Sequence, residues 1–232
     1  MKLAIMQPYF FPYIGYFQLM NAVDKFVIYD DVNFINRGWV NRNRILVNSK
    51  EHMFTVPLKN ASQNVLIKDH ELIEPEKWKN KFLKTLEHAY GKAPFFENVF
   101  SIVYKVINTK SKFIKDWHLK SFRLINKYLG IDTIIVESSS IYKNKILKGQ
   151  NRILDICIKE KTDQYINPIG GKELYNSELF MNHGIKLNFL ETEELNYNQF
   201  SSEFVPWLSM IDVMMFNTLD KINNNLALYK IT

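Results

Sequence analysis

Three of the chain's five arginines, Arg37, Arg42 and Arg44, fall within eight residues in the stretch INRGWVNRNR. Everywhere else the cation of choice is lysine, of which there are 25. Concentrating guanidinium here suits what lysine does poorly, a planar bidentate grip on phosphate or carboxylate, reinforced by stacking on Trp39. Asn36, Asn41 and Asn43 add neutral donors and acceptors matched to sugar hydroxyls or a base edge. The competing reading is a basic loop paired with the preceding carboxylates, Asp30 and Asp31. Those two aspartates close the strand-like run KFVIYDD. Adjacent strand residues point to opposite faces, so one of the pair at most is expected to face a given pocket, as a general base, a metal ligand or an arginine's partner.

Other segments carry weaker chemistry. Ser138, Ser139 and Ser140 follow a strand-like run and precede Lys143, Lys145 and Lys148. They could cradle phosphate near a helix start, or simply end the strand. Gly170 and Gly171, before Lys172, open a helical stretch but match neither a P-loop nor a dinucleotide fingerprint, and a tight turn explains them equally well. The uncharged stretch QPYFFPYIGYFQLM, residues 7–20, holds six aromatic rings. Its phenylalanines are expected in the core, with Tyr13 and Tyr16 beside Gln7 at a pocket, where a ring face and a hydroxyl suit a sugar or base. The five histidines are scattered without metal-ligand spacing, and no metal site is expected. No G-x-S-x-G elbow or Cys/His nucleophile arrangement occurs. Cys157, the single cysteine, reads as a small buried hydrophobe.

The elements that must position these residues follow an alternating pattern. Residues 1–6 and 25–29 read as strands around a helix at 13–22, and ILVNSKEHMFTVPL reads as a hairpin turning at 48–51. Residues 64–73 alternate as a further short strand. A helical block spans 75–130, opened by Pro75 and closed by Gly130. Strands at 132–137, 163–167 and 185–191 then alternate with helices at 150–161 and 170–184, and an apolar helix ends the chain at 203–219. The expectation is a single α/β domain over residues 1–232, Rossmann-like, with a mostly parallel sheet, the helical block inserted mid-chain and a small hairpin. Ligands on such sheets bind at the C-terminal strand ends. The segments leaving those ends are QPYFFPYIGY, DDVNFINRGWVNRNR, SSSIYKNK and NPIGGK, the most unusual in the chain.

Bulk composition sets the boundaries. With 232 residues, 47% hydrophobic and 23% charged, the chain has the make-up of a globular protein with a sizeable core. No apolar run approaches the ~20 residues of a membrane span, no secretory signal is present, and one cysteine fits a cytoplasmic setting. The net charge of +6 is mostly lysine on polar helix faces, so nucleic acid is not the expected partner.

Taken together, QPYFFPYIGYFQLM, DKFVIYDDVNFINRGWVNRNRI, LKTLEHAYGKAPFF, LGIDTIIVESSS, TDQYINPIGGKELY and WLSMIDVMMFN resemble the WbqC-like protein family, over residue 1 to about 217. The family belongs to bacterial O-antigen and capsule gene clusters. The resemblance implies surface-polysaccharide biosynthesis, with transfer of an amino acid, glycine, onto an amino sugar as the proposed reaction. A weaker likeness links FPYIGYF to the H-x-G-H motif of nucleotidyltransferases and pantothenate-synthetase-like ligases, but the histidines that hold ATP phosphates are missing. What the resemblance implies is a transferase joining an acyl or aminoacyl group to the amine of a dTDP- or UDP-linked amino sugar. ATP and Mg²⁺ enter only if the acyl group is activated in situ. Arg37, Arg42 and Arg44 would hold the diphosphate, Trp39, Tyr13 or Tyr16 would stack on a ring, and Asp30 or Asp31 would act as base. The rivals are a scaffold protein of a polysaccharide assembly complex, a nucleotidyltransferase-like enzyme and a binder of single-stranded nucleic acid.

Overall fold

The apolar run KLAIM becomes the centre of a sheet, because it has hydrophobic residues for both faces. In the computed structural model, which describes residues 1–201 and 203–232, β1 (Lys2–Met6) leads through α1 (Ile14–Asn21) to β2 (Lys25–Ile28). The hairpin β3 (Arg42–Val47) and β4 (Lys50–Thr55) follows, then α2 (Pro75–Tyr90), α3 (Phe96–Ile107) and α4 (Ile114–Leu129). The chain returns to the sheet with β5 (Ile134–Val136), α5 (Gly149–Lys159), β6 (Gln164–Pro168), α6 (Ser177–Met181) and β7 (Lys186–Thr192). It ends with α7 (Met210–Phe216), α8 (Leu219–Leu226) and β8 (Tyr229–Ile231). The six-stranded sheet has the order β5-β2-β1-β6-β7-β8. All its pairings are parallel except β7 with β8. This is the expected Rossmann-like α/β architecture, with the hairpin as a separate antiparallel pair. Among the described residues, no helix is long and apolar enough to cross a membrane.

The pleat divides the core in two. Ala4, Phe26, Ile28, Ile166 and Leu190 face a layer built from α1, the helical block and the two C-terminal helices. Leu3, Ile5, Val27 and Tyr165 face α5 and α6 through Ile153, Ile156, Cys157 and Phe180. Right-handed crossovers put connections running in opposite directions on opposite faces. The chain leaves β1 toward β2 and leaves β6 toward β7, so the crevice between β1 and β6 is the point where strand order reverses.

Three expectations differ from the structure. Residues 64–73 form no strand. Their backbone runs along the segment after β2, with Phe34 N–H on Val65 O, Ile67 N–H on Val32 O and Lys68 N–H on Asp30 O, and closes into a single 3₁₀ turn at Ile67–Asp69. The helix expected over 170–184 is broken into a 3₁₀ turn at Ile169–Leu174 and the short α6, because the Asn176 side chain accepts from Glu178 N–H and Leu179 N–H and starts a new helix there. The apolar tail helix stops at Phe216, Thr218 caps α8, and β8 then covers the edge of β7. Ser202, within the span expected for that tail helix, lies outside the described residues.

Two buried polar contacts hold the helical block to the rest. Asp212 of α7 accepts from Tyr90 OH (2.7 Å), Tyr197 OH (2.7 Å) and Gln199 Nε2 (2.8 Å), while Tyr90 OH accepts Leu46 N–H at 2.8 Å. On α4, the buried His118 donates from Nε2 to Val40 O at 2.6 Å, which fixes the end of the segment before the hairpin. Its Nδ1 is buried without a partner. Burial therefore pushes the imidazole down from 6.5 to about 4. The native state binds fewer protons than the unfolded chain between those values. His118 thus contributes fully above pH 6.5 and loses roughly 3 kcal/mol of stability as pH falls toward 4. In urea unfolding across that range, the difference between wild type and His118→Gln should show this slope. The subtraction isolates His118 from Asp30 and Asp212, whose carboxyls are raised by burial and act in the opposite sense.

Candidate functional site

The segment after β1 cannot be regular structure, since it carries prolines at 8 and 12 and turns sharply through Phe11, which has a left-handed φ of 44°. Its carbonyls are held by the hairpin and the tail. Asn43 Nδ2 donates to Phe10 O (3.1 Å) and Phe11 O (2.8 Å), and its Oδ1 accepts Arg44 N–H at 2.8 Å. Ser209 Oγ donates to Phe11 O at 2.6 Å, Ser209 N–H reaches Arg44 O and Met210 N–H reaches Pro12 O. Phe10 and Phe11 are fully buried in this knot. With the phenylalanines turned inward, Tyr9 and Tyr13 of the same segment stay half-buried at the surface.

Two adjoining clefts result. The larger, about 610 Å³, lies over the β1–β6 crevice and is lined by Met6, Gln7, Tyr9, Tyr29, Asn167 and the glycines Gly170 and Gly171, with Gly149 and Gln150 of the first turn of α5. That turn has no side-chain cap and no acidic residue, so its amide groups are free for an anion. A Cβ on Gly171 would lie 2.2 Å from Asn167 Nδ2, so glycine is what lets this turn close on Asn167. The smaller cleft, about 250 Å³, is lined by Tyr9, Tyr13, Tyr16, Trp39, Trp207 and Arg44 among others. Met6, Tyr9 and Pro168 belong to both clefts. Burial raises the hydroxyl pKa of Tyr9 and Tyr13, so both are neutral polar groups.

Arg44 is the only charged residue lining the smaller cleft. Its Nη1 pairs with Glu51 at 2.8 Å, its Nη2 donates to Trp207 O at 3.1 Å, and its guanidinium carbon lies 5.1 Å from the Trp39 ring centroid. Trp207 is half-exposed, at 52%, and sits at φ 60°. A left-handed backbone is costly for a bulky residue and tends to mark functional positions. Its ring meets Tyr13 edge-on at 6.0 Å.

Behind the clefts, the ends of β2 and β5 form a buried network. Ser138 Oγ donates to Asp30 Oδ1 at 2.6 Å and lies 2.6 Å from Ser140 Oγ. Ser139 donates to Asp31. Arg152 of α5 pairs with Asp31 at 2.6 Å, the two side chains being 6% and 0% exposed, and lies 4.9 Å from the Tyr29 ring centroid. Burial raises the Asp30 carboxyl above its usual range, against the opposing pull of Ser138.

The structure therefore joins residues that the sequence presents as separate groups. Asp30, Asp31 and Ser138–Ser140 become one network, and neither aspartate lines the two clefts. Gln7, Tyr13, Trp39, Arg44, Gly170 and Gly171 line the clefts directly. Tyr16 lines the smaller one while only 3% exposed, its hydroxyl bonded to Gln7 O and its ring stacked on Phe122. Asn41 bonds Val56 O across the hairpin. Arg42 donates to Gly38 O and Arg37 O and lies over Trp39, while Arg37 is exposed. The three arginines thus do not converge on one point. Tyr9, Tyr29, Asn167, Gln150, Arg152 and Trp207 complete the site. Among the described residues, no group of three or more His, Cys, Asp or Glu side chains gathers where a metal could bind.

Comparison with known proteins places this geometry in context. The model of the WbqC-like protein family matches residues 7–224. Uncharacterized protein Rv1507c of Mycobacterium tuberculosis is 26% identical over 225 residues, covering 93% of each chain. No solved structure matches.

The Asp31–Arg152 pair is the contact that sets α5 against the end of β2. Arg152→Met should cost about 3–5 kcal/mol in urea unfolding, because it strands a buried carboxylate. Adding Asp31→Asn should return part of that loss, so the double variant costs less than the two single changes summed.

Proposed function

From this chain, which belongs to the WbqC-like protein family, we propose a transferase that attaches an amino acid or other acyl group to the amine of a nucleotide-linked amino sugar. Family membership is consistent with a role in polysaccharide biosynthesis. The observation that carries the reading is the pair of clefts meeting at Tyr9, above the crevice where parallel strand order reverses. Two reactants need two compartments with a shared wall, and such a crevice is where nucleotides bind on open α/β sheets.

In this reading the nucleotide diphosphate lies in the larger cleft against the uncapped first turn of α5, where the helix dipole favours anions. Asn167 and Gln7 offer amide groups to sugar hydroxyls. The acyl group occupies the smaller cleft, so the amine and the acyl carbon meet beside Tyr9. The amine lone pair forms the new C–N bond, the bond from the carbonyl carbon to its leaving group breaks, and the amine gives up a proton. Asp30 is the better of the two aspartates for that proton. Since neither lines the clefts, it would have to receive it through a relay of the half-buried Ser138 and Ser140. Asp31 is neutralised by Arg152, whereas Asp30 has no ion-pair partner among the described residues and its basicity is raised by burial. Ser138 and Ser140, both half-buried, extend from Asp30 toward the surface.

A thermal-shift series with dTDP- and UDP-amino sugars tests the reading. A ligand at 100 times its Kd adds about 2.7 kcal/mol of stability, and its melting shift should be accompanied by a mass increase of the sugar when an acyl donor is supplied. Tyr9→Ala, which opens the shared wall, should weaken nucleotide-sugar binding at least tenfold, about 1.4 kcal/mol. A folded protein that responds to no nucleotide sugar would reject the transferase.

A further inference from the structure

We propose that the smaller cleft selects a carboxylic acid with a flat apolar body, an aryl acid being the best fit, and that Arg44 is the residue that reads the acid. The inference rests on the transferase reading and names the acid taken up for acyl transfer. A nucleoside triphosphate would first activate that acid as an acyl-nucleotidate with release of pyrophosphate. The nucleoside monophosphate then leaves as the sugar amine forms the C–N bond.

Size comes first. A cavity of about 150 Å³ holds benzene, so a cleft of about 250 Å³ has room for an aromatic ring and a carboxylate together. Glycine would leave most of it empty. Shape agrees, because Tyr9, Tyr13, Tyr16, Trp39 and Trp207 supply ring faces and edges around the space, and flat ligands gain most from such walls.

Charge decides between acid and amino acid. Among the described residues no Asp or Glu lines this cleft, and Arg44 is the one ionised group in its lining. A zwitterion would have to bring its ammonium beside a guanidinium whose own carboxylate partner, Glu51, lies outside the cleft lining and is already paired. A simple carboxylate meets only the complementary charge. Arg44 is free to respond: its ion pair with Glu51 is a surface contact, the glutamate being 43% exposed, and such pairs hold their partners weakly. Its Nε is buried without a hydrogen-bond partner among the described residues, so a ligand would meet the Nη groups. The guanidinium is also pre-set, braced by Trp207 O and by the Trp39 ring, which suits planar recognition of a carboxylate.

The test is a calorimetric titration of the full chain with benzoate, benzyl alcohol and glycine, in the absence of any nucleotide sugar. Benzoate should bind at least tenfold tighter than either of the others. Arg44→Met should reduce benzoate affinity about tenfold and leave benzyl alcohol unchanged. Arg44→Lys, which keeps the charge and loses the planar fork, should fall between and guards against a folding defect. Glycine binding as tightly as benzoate, or benzoate binding that ignores both substitutions, would overturn the inference. Benzoate binding without any response to nucleotide sugars would instead leave this cleft standing and reject the transferase. Nucleotide-sugar binding without benzoate binding would do the reverse.

Discussion

The site depends on how the carbonyls of Phe10 and Phe11 are satisfied. A chain that leaves a central strand and turns with a left-handed phenylalanine exposes acceptors that no neighbouring strand can reach. Buried acceptors without donors are costly. Here one asparagine amide from β3 serves both carbonyls, and Ser209, far away in the sequence, serves Phe11 again. Those contacts fix the hairpin and the tail against the end of β1. Apart from Pro168 of β6 and Trp39 of the loop before the hairpin, everything that lines the smaller cleft comes from these three segments or from α1. Ser209 lines neither cleft and Asn43, at the wall of the smaller one, spends its amide on the backbone, yet together they determine where Tyr13, Arg44 and Trp207 stand.

Electrostatically the strand ends divide into two zones. Behind Tyr29, the carboxylates, serines and Arg152 bond to one another and are largely buried, with Asp31 Oδ2 left without a partner among the described residues. In front of it, the clefts offer aromatic faces, amides and helix-end N–H groups, with Arg44 as the one formal charge in the smaller cleft. The buried zone is a brace for the open one. Arg152 holds α5 against the end of β2, and the same helix presents Gly149 and Gln150 to the larger cleft. A buried ion pair contributes little net stability, but it has a defined geometry, and geometry is what a two-compartment site requires.

Much of this was legible in the sequence because strand ends on an α/β sheet are predictable places. Hydrophobic period and flanking polar runs located β1, β2, the hairpin, the helical block, α5, β6 and β7 to within a few residues. The same reasoning pointed to the four segments that leave the strand ends, all of which gather on that edge of the sheet. What could not be read was the destination of individual side chains. Ser138 and Ser139 look like a phosphate loop until β5 is seen beside β2, which turns their hydroxyls onto Asp30 and Asp31. Arg152 sits in an ordinary amphipathic helix, and nothing local marks it as the partner of a residue 121 positions away. Arg42 and Arg44 differ for a similar reason. The hairpin puts both over Trp39, but the loop before it takes up Arg42 and the tail reaches Arg44. The expected strand at 64–73 failed because its alternating residues follow a loop rather than a sheet edge.

The hydrogen bond between Ser209 and Phe11 spans 198 residues, and β1 acquires its partner β6 only after the whole helical block has been made. Contacts of such sequence separation are slow to form, because loop closure precedes any gain from them. As the chain leaves the ribosome, QPYFFPYIGYFQLM emerges well before Ser209 and Met210. This apolar stretch of the future site must therefore wait for Ser209 until the residues between them have been made. Folding in this protein is a process in which the site is completed at the end, and the helical block, whose contacts are local, has time to assemble first.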